Sequence, residues 1–217
     1  MPMPRSSLFD RWAVSYDRRS LQALAYRPVH DAILARVDDT SPSTVIDLGC
    51  GTGQLTRRLT ERFPEAVVVG VDLSTGMLSK AAARLGTGSA GSHALVRADA
   101  ERLPFASESV DLAVCTESFH WYRHQDTALA GLAEIVRSGG RLLIASTAMF
   151  TRLGDGLVRR VTARSGQPIQ AVPPESLRRM LQRAGFDVAH QRRIPRLGFA
   201  GWPVLTDARR RAHRAAG

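Results

Sequence analysis

The sequence predicts an α/β fold with one doubly wound, mostly parallel sheet and helices on both of its faces. Short apolar runs alternate along the chain with segments of helical spacing, which is typical of strand–helix–strand units. The first apolar run leads into three glycines at alternate positions, Gly49, Gly51 and Gly53, and then into a helical segment. At 217 residues, the chain is long enough for one domain whose sheet is covered on both sides.

The first elements form two strand–helix units. Val45, Ile46 and Leu48 are apolar and are expected to form a buried strand, and residues 55–63 have helical spacing. Residues 67–71 are the second strand candidate. Ser74 is placed to cap a helix over 75–85, because a serine oxygen accepts a hydrogen bond from an amide in the first turn.

The later segments continue the alternation. Residues 93–97 and 110–115 are strand candidates. A helix capped by Asp126 is expected to run to about residue 136 and to end at Gly139 and Gly140. The remaining predicted elements are a helix over 26–37, a strand over 141–145, a helix over 176–184 and a strand over 187–193.

The glycine turn predicts a cradle for a nucleotide-type cofactor. Glycines let the backbone turn sharply and let a ligand approach without side chains in the way. Asp47 adds a negative charge where a cationic group can be held. The dinucleotide spacing is not met, because Gln54 stands at its third glycine position, and no Gly-Lys-Ser/Thr phosphate loop occurs. A tight turn that binds nothing is the structural alternative.

The pattern from Asp47 to Gly53, D-x-G-x-G-x-G, resembles motif I of the class I S-adenosylmethionine-dependent methyltransferases. Three further segments fit this family in the same order: ADAERLPF over 98–105, IVRSGGRLLIAS over 135–146 and LQRAGF over 181–186. The resemblance covers residues 9–186. It is strongest to the subgroup that contains ubiquinone, menaquinone and natural-product methyltransferases, and it implies a Rossmann-like sheet. The implied cofactor is S-adenosyl-L-methionine, with S-adenosyl-L-homocysteine as product. Its sulfonium and ammonium groups suit an acidic turn.

Several residues are candidates for cofactor contacts. Asp72 lies 25 positions after Asp47, about where such a fold places the acid that binds the ribose hydroxyls, and a helix N-cap is the alternative. The resemblance implies that Asp99 accepts from the adenine amino group and that the Ala100 amide meets a ring nitrogen. Met77 either packs on the adenine or belongs to the core. The predicted cofactor-binding set is Tyr16, Asp47, Gly49, Cys50, Gly51, Gly53, Asp72, Leu73, Met77, Asp99, Ala100, Glu101 and Thr116.

The loop after the fourth strand holds the candidate catalytic residues. Methyl transfer is an in-line displacement that depends on orientation, so a general base is needed only if the acceptor arrives protonated. His120 is the first candidate for that base, and Glu117 is the second. A packing histidine and a loop-bonding glutamate are the alternatives. Trp121 and Tyr122 are expected to form an aromatic wall near the substrate or the cofactor.

The resemblance also predicts the two ends of the domain. Residues 1–40 are expected to form an N-terminal helical lid, with Tyr16 near the methionine part of the cofactor. Residues 41–200 form the cofactor-binding domain, and residues 201–217 are a basic strand or tail. The family adds a seventh, antiparallel strand, for which residues 201–208 are the candidate. Pro203 lacks the N–H that a sheet ladder needs, so this strand is expected to be short, shifted or missing.

Composition narrows the remaining choices. The net charge is +10, and residues 152–217 carry the whole excess, with 14 arginines against 4 acidic residues. This asymmetry suits an anionic substrate, a nucleic acid or a membrane surface, and a solvated surface is the alternative. Two cysteines predict neither a disulfide framework nor a metal site. We expect a cytoplasmic protein, because no apolar stretch suits a membrane span or a signal peptide.

The sequence therefore predicts methyl transfer to oxygen, carbon or nitrogen of a small organic acceptor, such as a phenol, a quinone or another natural-product-like molecule. One alternative is a nucleic-acid methyltransferase. The stretch from Thr116 to Phe119 has no proline, unlike the motif of enzymes that methylate a flipped adenine, which argues against it. The other alternative is a non-catalytic partner protein that binds S-adenosylmethionine. The oligomeric state is left open.

Overall fold

The computed structural model describes residues 26–86, 91–149, 169–195 and 201–212. Within these residues, one seven-stranded sheet has the order β3-β2-β1-β4-β5-β7-β6. The first five strands are parallel, and β7 runs antiparallel to both of its neighbours. The strands are β1 Thr44–Leu48, β2 Val67–Asp72, β3 Ser92–Arg97, β4 Val110–Thr116, β5 Val136–Met149, β6 Phe186–Arg193 and β7 Gly201–Arg210.

The helices cover the two faces of this sheet, as the sequence predicts. They are α1 Arg27–Arg36, α2 Gln54–Arg62, α3 Thr75–Leu85, α4 Gln125–Ile135 and α5 Pro174–Arg183. Helices α1 and α2 share one apolar core with alternate residues of the strands, and α4 and α5 share the other. The strand order reverses between β1 and β4. In parallel α/β sheets, ligands bind in the crevice outside the carboxyl ends of the strands at this point.

The central strands are apolar on both faces because helices cover both. Val45 of β1 enters the core with α1 and α2, whereas Ile46 and Leu48 enter the core with α4 and α5. Successive side chains of a strand point to opposite faces, so this alternation follows from the strand geometry. Among the described helices, none combines the length and the apolar character that crossing a membrane requires.

The expectation of a short, shifted or missing seventh strand is wrong. β7 has ten residues, and it pairs with β5 from Arg141↔Arg209 to Met149↔Gly201. The carbonyl of Pro203 accepts a hydrogen bond from the amide of Ile194 at 2.8 Å. The backbone polar groups of Pro203 therefore face the β6 side, where β6 has just ended at Arg193. The missing N–H costs no bond to β5, so the proline is tolerated inside the sheet.

The connection from α4 to β5 also differs from the prediction. The helix ends at Ile135, and Val136 already pairs with Val110 of β4. Gly139, which was expected to end the helix, lies in an irregularity of β5 with a φ of 75°. The predicted capping role of Asp126 is also wrong, because the N-cap position is His124 and Asp126 lies in the first turn.

A buried ion pair joins β7 to β5. Arg141 donates from Nε and Nη2 to the two carboxylate oxygens of Asp207, each at 2.9 Å, and the two side chains are 7% and 2% exposed. Arg36 of α1 adds a bond to Asp207 at 2.6 Å. Burial opposes the charge on Asp207, but the bonds from Arg141 and Arg36 outweigh it and hold the pKa of this carboxyl below its usual value. Asp207 therefore connects two strands and a helix.

Replacing Asp207 with Asn should cost about 3–5 kcal/mol of unfolding free energy, because it removes the buried counter-charge of Arg141 and leaves only the exposed Asp39, at 3.3 Å. The matched control is Asp187→Asn, whose ion pair with Arg211 is largely exposed. An exposed pair contributes about 0–1 kcal/mol. Urea unfolding at neutral pH measures both variants. Equal losses for the two variants would contradict the central role of Asp207.

Candidate active site

The turn between β1 and α2 is held by backbone bonds to the neighbouring strand. The amides of Gly49 and Cys50 both donate to the carbonyl of Val71, at 2.7 and 3.0 Å, and the amide of Gly53 returns to the carbonyl of Cys50. Gly49, Gly51 and Gly53 have φ angles of 73°, 55° and 76°. This left-handed conformation is costly for residues with a side chain. The predicted sharp turn is therefore present.

The three glycines have different surroundings. A Cβ atom on Gly49 would lie 2.4 Å from Cβ and Oγ of Ser118, and one on Gly53 would lie 2.8 Å from Cβ of Ala81. These two glycines are needed because protein atoms pack against them. A Cβ atom on Gly51 would meet no described atom within 4 Å. Gly51 is therefore the position where the turn faces the crevice and a ligand can approach the backbone.

Asp72 lies at the carboxyl end of β2 and touches the turn. Its Oδ2 accepts from the amide of Gly51 at 2.9 Å, and its Oδ1 accepts from the amide of Ser74 at 2.8 Å. The predicted N-cap of α3 is Ser74 itself, whose Oγ accepts from the amide of Met77 at 3.1 Å. The structure thus places the predicted ribose-binding acid beside the open glycine.

Asp47 is sealed beneath the turn. Its side chain is buried, and Oδ2 accepts from the hydroxyl of Thr56 at 2.7 Å. Among the described residues, Oδ1 has no hydrogen-bond partner. Burial raises the pKa of Asp47 to about 7, the bond from Thr56 lowers it, and the charge of Asp72 raises it. Because the charged group near Asp47 is another carboxylate, that of Asp72, a cation bound beside them would stabilise the ionised form of Asp47.

The segment after β3 joins two loops of the crevice. Oδ1 of Asp99 accepts from the amide of Glu101 at 3.0 Å. Glu101 in turn accepts from the amides of Arg123 and His124, at 2.9 and 3.0 Å, just before α4. The carboxylate of Glu101, a predicted cofactor contact, thus holds the start of α4. Ala100 is buried between Asp99 and Glu101.

The remaining predicted cofactor residues lie at different depths. Cys50 and Met77 are buried, with exposures of 8% and 2%. Burial raises the pKa of the Cys50 thiol, and Asp47 and Asp72 add to this, so it is no thiolate at neutral pH. Leu73 and Thr116 are half-buried at the ends of β2 and β4. Tyr16 lies outside the described residues.

The two candidate bases are held by neighbouring residues of β5. Nδ1 of His120 lies 3.2 Å from Oγ of Ser146, and Glu117 accepts from the hydroxyl of Thr147 at 2.7 Å. Consecutive strand residues point to opposite faces of the sheet, so His120 and Glu117 are fixed from opposite faces. His120 is buried in a 3-10 helix, Phe119–Trp121, and Glu117 has a φ of 51°.

No sequence pattern indicates Ser118 as a residue of the site, and Tyr122 lies deeper than its sequence position suggests. Tyr122 was expected to form an aromatic wall, but it is 9% exposed and packs edge-on against Phe119 in the core. Its hydroxyl lies 2.9 Å from Oγ of Ser118, beneath the glycine turn. The spacing of four residues from Ser118 to Tyr122 is compatible with a helical turn, but nothing in it indicates contact with residues 48 and 49.

The crevice at the strand-order reversal, with its glycine turn and two carboxylates, defines a domain that binds a cationic nucleoside-type cofactor. A family model described as "Methyltransferase domain" matches residues 46–144 of this chain. The malonyl-[acyl-carrier protein] O-methyltransferase of Geobacter sulfurreducens is 31% identical over 196 residues, which are 82% of this chain and 68% of that relative. The chain belongs to the class I S-adenosylmethionine-dependent methyltransferases, a family of enzymes that use S-adenosylmethionine as the methyl donor.

Two further proteins are similar. The trans-aconitate 2-methyltransferase of Methylobacterium nodulans is 35% identical over 142 residues, 65% of this chain and 51% of that relative. The chain thus spans about two thirds of the first relative and half of the second. The magnesium protoporphyrin IX methyltransferase of Synechocystis, solved with bound S-adenosylhomocysteine, superposes with a TM-score of 0.71 at 21% identity, over 94% of this chain and 95% of that one. The fold is therefore the methyltransferase fold.

The Gly51→Ala variant should weaken S-adenosylhomocysteine binding without unfolding the protein. The added methyl group projects into the open crevice, where a clash with the ligand costs ~1–3 kcal/mol, or about 5- to 150-fold in Kd. Gly139→Ala is the matched control, because Gly139 also has a positive φ and a Cβ atom on it would meet no described atom within 4 Å, but it lies at the other end of the sheet. Calorimetric titration measures both. If the two folded variants bind S-adenosylhomocysteine with equal affinity, the cofactor does not bind at the turn.

The Asp47→Asn variant should change how stability depends on pH. The native state holds the Asp47 proton up to about pH 7, whereas an unfolded Asp loses it near its ordinary value of 3.8. Stability from this group is therefore present below the unfolded pKa and falls as pH rises to about 7. At about 1.4 kcal/mol per pKa unit, the fall amounts to a few kcal/mol.

The asparagine in this variant does not titrate, so the stability of the variant relative to the original protein should rise between pH 5 and pH 7.5. Urea unfolding at both pH values measures it. Parallel pH dependences of the two proteins would mean that Asp47 is ionised in the folded state.

Proposed function

We propose that this protein transfers the methyl group of S-adenosylmethionine to a carboxylate oxygen of a small organic acid. The observation that carries the proposal is the likeness to two relatives whose names give acidic acceptors, a malonyl group and trans-aconitate. A malonyl group attached through one carbonyl keeps one free carboxylate, and trans-aconitate carries three. The excess of arginine over acidic residues after residue 151 suits an anionic acceptor of this kind.

The residues at the crevice fit the cofactor. Gly51 leaves space for a ligand against the backbone, and Asp47 has a buried carboxylate oxygen without a described partner. We assign the cofactor's cationic methionine end to the side of Asp47 and its ribose hydroxyls to Asp72. The bound cofactor supplies a methyl group that is activated by the positive sulfur. Because Asp72 accepts from the amide of Gly51, ribose binding and the shape of the turn are linked.

A carboxylate acceptor changes the expected role of the loop after β4. The carboxylate arrives ionised at neutral pH, so no base has to remove a proton. The chain's main contribution is then to hold the acceptor oxygen, the methyl carbon and the sulfur in line. His120 and Glu117 then line the acceptor side and take no proton from the acceptor. Ser146 and Thr147 of β5 hold them in place.

A phenolic hydroxyl is the second candidate acceptor, and the contact between His120 and Ser146 favours it. In the tautomer whose Nδ1–H donates to Oγ of Ser146, Nε2 is the nitrogen that would take the phenol proton. Under this alternative His120 is a general base. The two acceptors therefore predict different consequences of removing the imidazole.

The proposal is tested with an acceptor panel of a malonyl thioester, trans-aconitate, catechol, a hydroquinone and transfer RNA. We expect methyl esters of the acids. For a carboxylate, His120→Ala should lower kcat less than about tenfold and leave its pH dependence unchanged, whereas loss of a general base costs about 100- to 10,000-fold. Gly51→Ala is the control for transfer that does not use the crevice. Methylation of the phenols alone, or of the RNA alone, would overturn the carboxylate assignment.

The cytoplasmic location expected from the sequence stays a prediction, as does the N-terminal lid over residues 1–40. Helix α1, in the second half of that segment, packs through Val29 and Ile33 on the same core as Val45 of β1. The part of the segment before residue 26, for which the resemblance predicts the lid over the cofactor, lies outside the described residues. Tyr16 is the residue of this part that the family resemblance assigns to the cofactor.

A further inference from the structure

Three polar side chains, the buried Cys115 and Tyr122 and the half-buried Ser118, form a cluster beneath the glycine turn. The hydroxyl of Ser118 lies 3.0 Å from the carbonyl oxygen of Leu48, 2.9 Å from the hydroxyl of Tyr122 and 3.1 Å from the thiol of Cys115. Cys115 and Tyr122 are themselves 3.5 Å apart. None of these groups has a chemical role in the methyl transfer described above, although all three lie next to its site.

The hydrogen bonds of this cluster have one consistent direction. A hydroxyl has a single proton, and that of Ser118 goes to the carbonyl of Leu48, which can only accept. The hydroxyl of Tyr122 therefore donates to Ser118, and the thiol of Cys115 donates to one of the two oxygens. Burial raises the pKa of Cys115 to about 11 and that of Tyr122 well above its usual value. The three groups keep their protons at neutral pH, so the direction is stable.

The cluster joins the two loops that have to be aligned for methyl transfer. Leu48 is the last residue of β1, and Gly49, where the turn begins, follows it. Ser118 is the N-cap of the 3-10 helix that carries His120. A Cβ atom on Gly49 would lie only 2.4 Å from Ser118, so the two loops are also in direct contact. The distance between the glycine turn (the cofactor turn) and the loop after β4 that carries His120 (the acceptor loop) is thus set by the hydroxyl of Ser118 and by the absence of a side chain at Gly49.

We infer that Ser118 and Tyr122 are positioning residues for methyl transfer, which hold the acceptor loop in register with the cofactor turn. This inference rests on the proposed function for its catalytic consequence. In-line transfer is sensitive to alignment, and a displacement of about 1 Å can cost about 100-fold in rate. Neither residue has to touch the reacting atoms, because each acts through the position of the turn and of His120.

Two variants test the inference. Tyr122→Phe removes the donor to Ser118 but keeps the ring that packs edge-on on Phe119. Ser118→Ala removes the bond to Leu48. With the carboxylic acid acceptor, each should lower kcat by at least about tenfold through misalignment, and the Kd for S-adenosylhomocysteine should stay within about threefold of the original. If Ser118→Ala is too unstable to purify, Tyr122→Phe carries the test alone.

Thr60→Val is the matched control. It also removes a buried hydroxyl, which bonds to the carbonyl of Thr56 at 3.0 Å, but it lies near the far end of α2. It should lower the melting temperature and leave kcat unchanged. If Tyr122→Phe and Ser118→Ala behave like Thr60→Val, with lower stability and unchanged kcat, the two residues are structural only and the inference is wrong. The double variant should lose little more kcat than Ser118→Ala, because both changes break the same chain of bonds.

A second measurement does not depend on any acceptor. The amides of Trp121 and Tyr122 donate to the carbonyls of Ser118 and Phe119. Adding S-adenosylhomocysteine should slow hydrogen exchange at these amides in the original protein, and this slowing should be lost in both variants at saturating ligand. Slowing that persists in the variants, or that is absent from the original protein, contradicts the coupling. Failure of every acid acceptor would refute the proposed function and leave this exchange result intact.

Discussion

The structure depends on the close packing of the turn after β1 against its neighbours. Gly49 lies against Ser118 and Gly53 against Ala81, at distances that leave no room for a Cβ atom. The amides of Gly49 and Cys50 share the carbonyl of Val71. Because described protein atoms enclose Gly49 and Gly53, the turn is held in this shape, and Gly51 is the one of the three glycines that opens to the crevice. The position of the ligand is thereby set by β1, β2, β4 and α3 together.

The electrostatics of the site follow from the same packing. Asp47 is buried below the turn, and the charge nearest to it is another carboxylate, Asp72. Burial of a carboxylate is unfavourable unless it is bonded or neutralised, and Thr56 supplies one bond. A cationic ligand supplies what is missing, whereas a phosphate would meet two carboxylates. The proposed placement of a sulfonium cofactor, and not of a dinucleotide, thus follows from the turn and from the acids around it.

The acceptor side depends on β5, and β5 depends on β7. β7 pairs with β5 from Arg141 to Met149, and the bond between Arg141 and Asp207 lies at the far end of this ladder. At the near end, Ser146 and Thr147 hold His120 and Glu117. The antiparallel strand inserted between β5 and β6 therefore supports the residues that we propose to line the acceptor side. Glu101 ties the start of α4 to the same region from the other side of the crevice.

The sequence by itself determined the order of strands and helices, the sharp glycine turn after Asp47, and the serine cap of α3, because periodicity, glycine spacing and capping act among residues that are close in the chain. Only the tertiary structure decided the rest. Ser118 meets Leu48 across 70 positions, and Glu101 reaches the start of α4 across 22. Pro203 is tolerated because β6 ends beside it, which no pattern within 201–208 indicates. The aromatic character of Tyr122 suggested a wall, but the position of its hydroxyl depends on how β1 and β4 pack side by side. Contacts of this kind arise from the packing of distant segments, so local sequence patterns do not encode them separately.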